Sequence, residues 1–379
     1  MIHFLGLVLA LLPTYLIRFK LFGVPTTLLE LLIAAFLFLT LINFKLTDLV
    51  KLKSLGKINL SAGLFILAGI ISTIVSPEPL RALGLLKAFI IEPVLLFYAT
   101  IVTIKLPKDK IVVLRWLLAS SFLISLFGIV QYFTYLNLPI KFWGSGDEGL
   151  RITSIFEHPN QLALYLAPLL IFFFALYLSG FKLFKVWFER LALIILGVAL
   201  ALTFSRGAWL AVSLMGLILL IKKYSWKQIL PLVLLLVLIL FSIAPIRERV
   251  MLGISDPSSS VRLQLMKIGF QKTLSSPFLG NGLYGFRTTL AESQFSGEIL
   301  NNPHNIFLTF WLEMGLLGLL TFALIFFISA EQVKIHPSAL KFAAGVFLLT
   351  VIIQGMVDVP YFKNDLSILF WFMISLFFI

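Results

Sequence analysis

The sequence predicts an all-α, polytopic integral membrane protein with about twelve transmembrane helices arranged as a single domain over residues 1–379. Two observations carry this reading. Of the 379 residues 60% are hydrophobic and only 12% charged, with a mean hydropathy of +1.06, well beyond the roughly half-apolar make-up of a soluble domain. Apolar runs also recur from end to end, broken by short charged or Pro/Gly-bearing stretches, and a membrane crossing needs about 20 such residues. No stretch is left over for a separate soluble catalytic domain.

The apolar segments cover 4–17, 25–44, 59–75, 83–104, 112–136, 160–180, 189–204, 207–221, 228–245, 304–328, 341–357 and 365–379. The first, MIHFLGLVLALLPTYLI, lacks a basic start and an A-x-A site and reads as a retained helix. With the N-terminus inside, inner loops carry Lys45, Lys51, Lys53, Lys57, Lys105, Lys108, Lys110, Arg115, Lys182, Lys185, Arg190, Lys222, Lys223, Lys227, Lys334 and Lys341. The short outer loops carry half as many, so the positive-inside rule places both termini in the cytoplasm. Orientation accounts for the +13 net charge; the scattered basic residues form no nucleic-acid motif. Cysteine is absent, which excludes disulfides and thiolate metal ligands. There is no HExxH and no aspartate-rich cluster, so neither a metal site nor a cofactor is expected.

This topology puts three polar stretches on the outer face: 137–159, the turn Ser205-Arg206-Gly207, and the large loop 246–303. The loop contains SVRLQLMKIGFQKTL, a helical pattern, so one or two surface helices are expected within it. It ends at Asn301-Asn302-Pro303-His304-Asn305, where an apolar run begins. Asn302 as N-cap and Pro303 at the first helical position predict a helix start with His304 in its first turn. A helix N-terminus attracts anions and disfavours imidazolium, so His304 beside an anion site suits a general base.

Arg206, with Ser205 as N-cap, and Arg262, following the turn-forming Asp256-Pro257-Ser258-Ser259-Ser260, each lie near a helix N-terminus. Two arginines with fixed donor forks suit a diphosphate; the bland alternatives are a snorkelling arginine and a solvated loop. Arg151 and His158, in RITSIFEHPNQLALYL, supply further contacts, unless Arg151 merely pairs with Glu157 or Glu148. His158-Pro159-Asn160 opens a span much as Pro303-His304-Asn305 does. Lys87 and Glu92 lie about 7.5 Å apart along one span; Lys87 suits a head-group cavity, and Glu92 beside Pro93 a structural partnership. Glu313, about 13 Å below His304, reads with Gly315 and Gly318 as helix packing and a buried hydrogen bond.

The stretches RITSIFEHPNQLALYL, LTFSRGAWLAV, SSSVRLQLMKIGFQKTLSSPFLGNGLYGF and NNPHNIFLTFWLEMGLLGLL, in this order over residues 151–320, resemble the O-antigen ligase and O-antigen polymerase superfamily of bacterial surface-glycan enzymes. The resemblance implies a fold related to GT-C type membrane glycosyltransferases in the inner membrane, with a periplasmic loop over the active site. It implies metal-independent, inverting transfer of a glycan from undecaprenyl diphosphate to a hydroxyl of lipid A core or another glycan. By the same resemblance His304 matches the essential histidine, and Arg206 and Arg262 the diphosphate-binding arginines. Arg151, His158, Lys87, Asn305 and Glu313, read from the residues themselves, are the candidates for a supporting role. Ligase and polymerase share these motifs. The competing class is a lipid or anion transporter, whose polar sites usually gather near the bilayer midplane; here they cluster at one face.

Overall fold

The computed structural model describes residues 1–21, 23–144, 149–242, 244–251, 257–293, 295 and 299–379. It is mostly helical, at 75%. The chain opens with α1 (Ile2–Ala10) and a short tight helical turn, then a hairpin of β1 (Arg18–Leu21) and β2 (Val24–Thr27), paired antiparallel with Leu21 opposite Val24. This hairpin departs from the all-α expectation. RFKLFGVPTT is rich in residues that favour extended backbone, and Gly23 takes φ +82 at the turn.

The first half continues with α2 (Leu28–Ile42), α3 (Leu46–Lys53), α4 (Lys57–Ile74), α5 (Pro79–Leu86), a π-turn over Lys87–Ile91, α6 (Glu92–Thr103) and α7 (Pro107–Thr134). The second contains α8 (Pro159–Leu178), α9 (Val186–Leu202), α10 (Arg206–Lys223), α11 (Trp226–Ser242) and α12 (Ala244–Met251). The segment expected as a large loop holds α13 (Pro257–Ser275) and α14 (Gly285–Glu292); α15 (Ile306–Ile335), α16 (Ala339–Gly355) and α17 (Asn364–Ser375) complete the chain. Asp256, expected to help start α13, lies outside the described residues.

Among the described residues five helical segments are long and apolar enough to cross a membrane: α4, α5 through α6, α7, α8 and α15. The pair α2 and α3, bent by 112°, makes a sixth if it is one broken span. Helices overlie the other apolar segments too, but α16 and α17 fall short of a full crossing. The chain is an integral membrane protein. Phe38, Phe133 and Phe327, each more than 60% exposed, present apolar surface that only lipid or a partner helix can cover.

Within the bundle α15 packs on α4, α16 on α8, α1 on α7 and α17 on α6. Its centre is aromatic. Phe310 stacks on Phe322 with centroids 4.1 Å apart, and Tyr361, Phe370 and Trp371 close round them. Tyr361 donates to the Phe89 carbonyl at 2.7 Å and accepts from Trp371 Nε1 at 3.1 Å, so the link between α16 and α17 is pinned inside the bundle.

Several of the expected inner-loop basic residues gather at one end, where they meet carbonyls of helix ends and loops. Lys51 donates to Ile101 O at 2.6 Å and Arg115 Nε to Leu183 O at 2.5 Å, while Lys57 pairs with Glu331 at 3.1 Å. At the opposite end the loop 276–283 folds against α15 where Gly315 (φ +65) breaks the helix. Asn281 N–H donates to Leu312 O at 2.6 Å and Leu316 N–H to Phe278 O at 3.1 Å, replacing bonds the break removes. The loop SPFLGNG thus makes its close approach to another backbone.

A Cβ at Gly315 would stand 2.2 Å from Phe278 O. Gly315→Ala is therefore expected to cost about 1–3 kcal/mol, the usual penalty for an L residue forced into such a conformation. Thermal unfolding in detergent reads this as a lower melting temperature; an unchanged one contradicts the crossing described.

Candidate functional site

Four segments converge at the end opposite the lysine-rich one: the start of α10, the first turns of α13, the entry to α15 and the α16–α17 link. His304 is the residue on which they centre. It does not sit in a helical turn as expected. Asn305 is the N-cap of α15, its Oδ1 accepting from Leu308 N–H at 2.9 Å. Asn302 caps one step earlier, accepting the His304 N–H at 3.1 Å. His304 lies between the two with φ +54, a left-handed conformation uncommon away from glycine and often held at functional sites. Two competing asparagine caps explain the shift, because the second satisfies the deeper donor.

His304 Nδ1 lies 3.3 Å from Asp358 Oδ1 in the α16–α17 link. Both side chains are mostly buried, at 19% and 14% exposed. Burial works against charge on Asp358, but the His304 hydrogen bond and charge, the Arg262 guanidinium and the Val359 N–H together hold its carboxyl below the usual carboxylate range. An ionised carboxylate only accepts, so the Nδ1–H faces Asp358, and a neutral ring held this way has its lone pair on Nε2. Asn305 Nδ2 donates to Met356 O at 3.1 Å, fastening the same two segments a second time.

Arg206 is the first residue of α10, after Ser205 at the cap position, whose side chain makes no capping bond. Its Nη2 donates to Ser259 Oγ at 3.1 Å, tying α10 to the first turn of α13. Arg262 follows one turn later on α13, and its charge acts on Asp358. Gly207 leaves no room for a side chain against Val357, so α10 abuts the link that carries Asp358. Both arginines and the histidine thus share one neighbourhood. Beside it, Leu263, Met266 and Phe270 of α13 face Phe307, Leu308 and Trp311 of α15 across an open, largely apolar groove of about 410 Å³. Among the described residues no three His, Cys, Asp or Glu side chains assemble as a metal site.

The remaining candidates hold the frame. Arg151 donates to Thr203 O at 2.9 Å and Asn160 Oδ1 at 2.8 Å; Glu148, one of the two partners expected for it, lies outside the described residues. Carbonyls at the end of α9 need donors, and Arg151 fixes the turn that launches Arg206. His158 caps α8, its Nδ1 accepting from Asn160 N–H at 3.1 Å. Lys87 pairs with Glu30 at 2.7 Å, and Glu30 also accepts from Thr26, Thr27 and Asn364. Glu313 is buried, as expected, and accepts from Tyr284 N–H at 3.3 Å.

Residues 191–323 match the family model described as O-antigen ligase. This match, over part of the chain, supports the O-antigen ligase and polymerase superfamily. The match begins within α9 and ends within α15, so it contains Arg206, Arg262, His304, Asn305 and Glu313, while Asp358, Arg151, His158 and Lys87 lie outside it. No curated protein gives a match to the chain.

Sequence reasoning missed Asp358 and Glu30. Asp358 had a signal: in GMVDVPYF it is a single carboxylate between two apolar segments, on the face already holding His304. Because its pKa is lowered on folding, the stability it adds is present above the ordinary carboxylate pKa and lost as pH falls through the lowered one. Asp358→Asn is expected to cost about 1.5–3 kcal/mol at neutral pH, the range for a hydrogen bond to a charged group. Thermal unfolding against pH should show the gap from wild type closing in strong acid; a pH-independent gap contradicts the assignment.

Proposed function

We propose that this protein is a metal-independent, inverting glycosyltransferase that moves a glycan from undecaprenyl diphosphate to an acceptor hydroxyl at the periplasmic face of the inner membrane. The reading assigns up to twelve crossings and cytoplasmic termini, in keeping with the lysine-rich end lying opposite His304. The observation that carries the proposal is the convergence of Arg206, Arg262 and the His304–Asp358 pair at one end of the bundle.

In this mechanism the acceptor oxygen attacks the anomeric carbon from the face opposite the diphosphate. The new C–O bond forms as the bond between that carbon and the phosphate oxygen breaks, and the acceptor proton passes to His304 Nε2. Asp358 stabilises the resulting imidazolium. Arg206 and Arg262 neutralise the departing diphosphate, acting where negative charge develops. The isoprenoid chain of the donor lies in the apolar groove between α13 and α15, whose mouth at Asn305 adjoins His304. The acceptor we favour is lipid A core, as in a ligase; a polymerase would use the same residues with a second lipid-linked glycan.

Reconstituted transfer from labelled undecaprenyl-diphosphate glycan tests this. His304→Ala is expected to lower turnover by about 10²–10⁴ and, by removing the Asp358 partner, to lower the melting temperature much as Asp358→Asn does; Arg206→Ala and Arg262→Ala are expected to lower turnover by about 10²–10³ each and to leave the protein folded. Product only with added core acceptor identifies a ligase; a ladder of longer lipid-linked glycans without it identifies a polymerase. Wild-type turnover in any of the three variants removes that residue from the mechanism.

A further inference from the structure

A second cationic cluster lies at the same end of the molecule, built on Tyr284. This residue is the N-cap of α14 and takes φ +72, a backbone state that a bulky residue holds only where its surroundings enforce it. They do so from three sides. Buried Glu313 accepts the Tyr284 N–H at 3.3 Å. Ser76 Oγ donates to Leu283 O at 2.6 Å. Gly282 passes so close to Ser76 that a Cβ would stand 2.3 Å from its Cα.

The ring so fixed is flanked by two guanidinium groups. Arg81 lies 5.1 Å from the ring centroid and donates to Tyr284 Oη at 2.9 Å; Arg287 lies 5.9 Å from the centroid. Glu78 offsets only Arg81, at 3.1 Å. Among the described residues no carboxylate lies within ion-pair distance of Arg287, whose Nη1 is aimed by Ile299 O at 2.9 Å and Asn301 Oδ1 at 3.1 Å. The Arg81 side chain is 61% exposed, so the cluster is open to ligand while its base is rigid. Its link to the site is short: Asn301 is three residues before His304, a reach of at most about 10 Å.

We propose that Arg81, Tyr284 and Arg287 form a subsite for an anionic substituent, phosphate or carboxylate, on the acceptor glycan. Guanidinium forks match both groups in geometry and charge, and the Tyr284 hydroxyl, which accepts from Arg81, keeps its own proton to donate to an anion. The acceptor is the substrate whose hydroxyl meets His304, so a subsite hinged to His304 through Asn301 and Asn302 serves that substrate. This rests on the transfer reading above.

Binding, measured apart from turnover, tests it. The full chain in phosphatidylcholine nanodiscs is titrated with phosphorylated maltotetraose, a glucuronate-terminated tetrasaccharide and neutral maltotetraose. Wild type is expected to bind both charged probes at least about tenfold more tightly than the neutral one, the scale of one charge-assisted contact. Arg81→Ala and Arg287→Ala should each abolish that preference without lowering the melting temperature, and Arg287→Lys should restore part of it. Wild type without a preference, or either alanine variant that retains it, overturns the subsite. So does loss of charged-probe binding by wild type in phosphatidylglycerol nanodiscs, which would assign the arginines to lipid head groups. Catalysis enters none of these readings, so an inactive His304→Ala protein that keeps the preference separates failure of the transfer mechanism from failure of the subsite.

Discussion

The contact between His304 and Asp358 joins residues 54 positions apart, and the arrangement of the outer end depends on it. Asn302 and Asn305 hold the histidine backbone, the aromatic centre holds the loop that carries the aspartate, and the contact fixes the ring between them. Deep anchoring is what gives such a pair its precision. Tyr361, three residues beyond Asp358, is fully buried and hydrogen-bonded to both Phe89 and Trp371. A residue on a free surface loop would have no comparable constraint.

The two ends of the bundle solve one problem in different ways. Helix ends leave unpaired donors and acceptors that lipid cannot satisfy. At the lysine-rich end, long cationic side chains reach over carbonyls. At the other end, polar loops fold inward and satisfy helices they do not belong to: Glu313 holds the start of α14, Arg151 the end of α9, and loop 276–283 the break in α15. The second solution leaves buried polar groups and strained turns concentrated together, the environment from which charge-stabilising sites are built.

Much of this was legible in sequence because it follows from local pattern. Apolar runs located the helices, SVRLQLMKIGFQKTL gave α13, and the segregation of lysines anticipated the two ends. His304, Arg206 and Arg262 were marked by their position at helix starts. What could not be read was pairing across the chain. Nothing local to Lys87 announces Glu30, 57 residues earlier, and nothing local to Arg151 announces the Thr203 carbonyl at the end of α9. The entry to α15 lies three residues beyond the expected cap because NNPHN offers two good caps, and only the packed structure decides between them.

In the proposed mechanism His304 and Asp358 act as a unit. A double-mutant cycle on the transfer rate, using His304→Ala and Asp358→Asn alone and together, tests that claim most directly. If the pair functions together, the double variant is no slower than His304→Ala alone, as residues of one catalytic unit are strongly non-additive. Losses that multiply, with Asp358→Asn slowing the His304→Ala protein by the same factor as wild type, would show that Asp358 acts independently of the histidine and contradict the account.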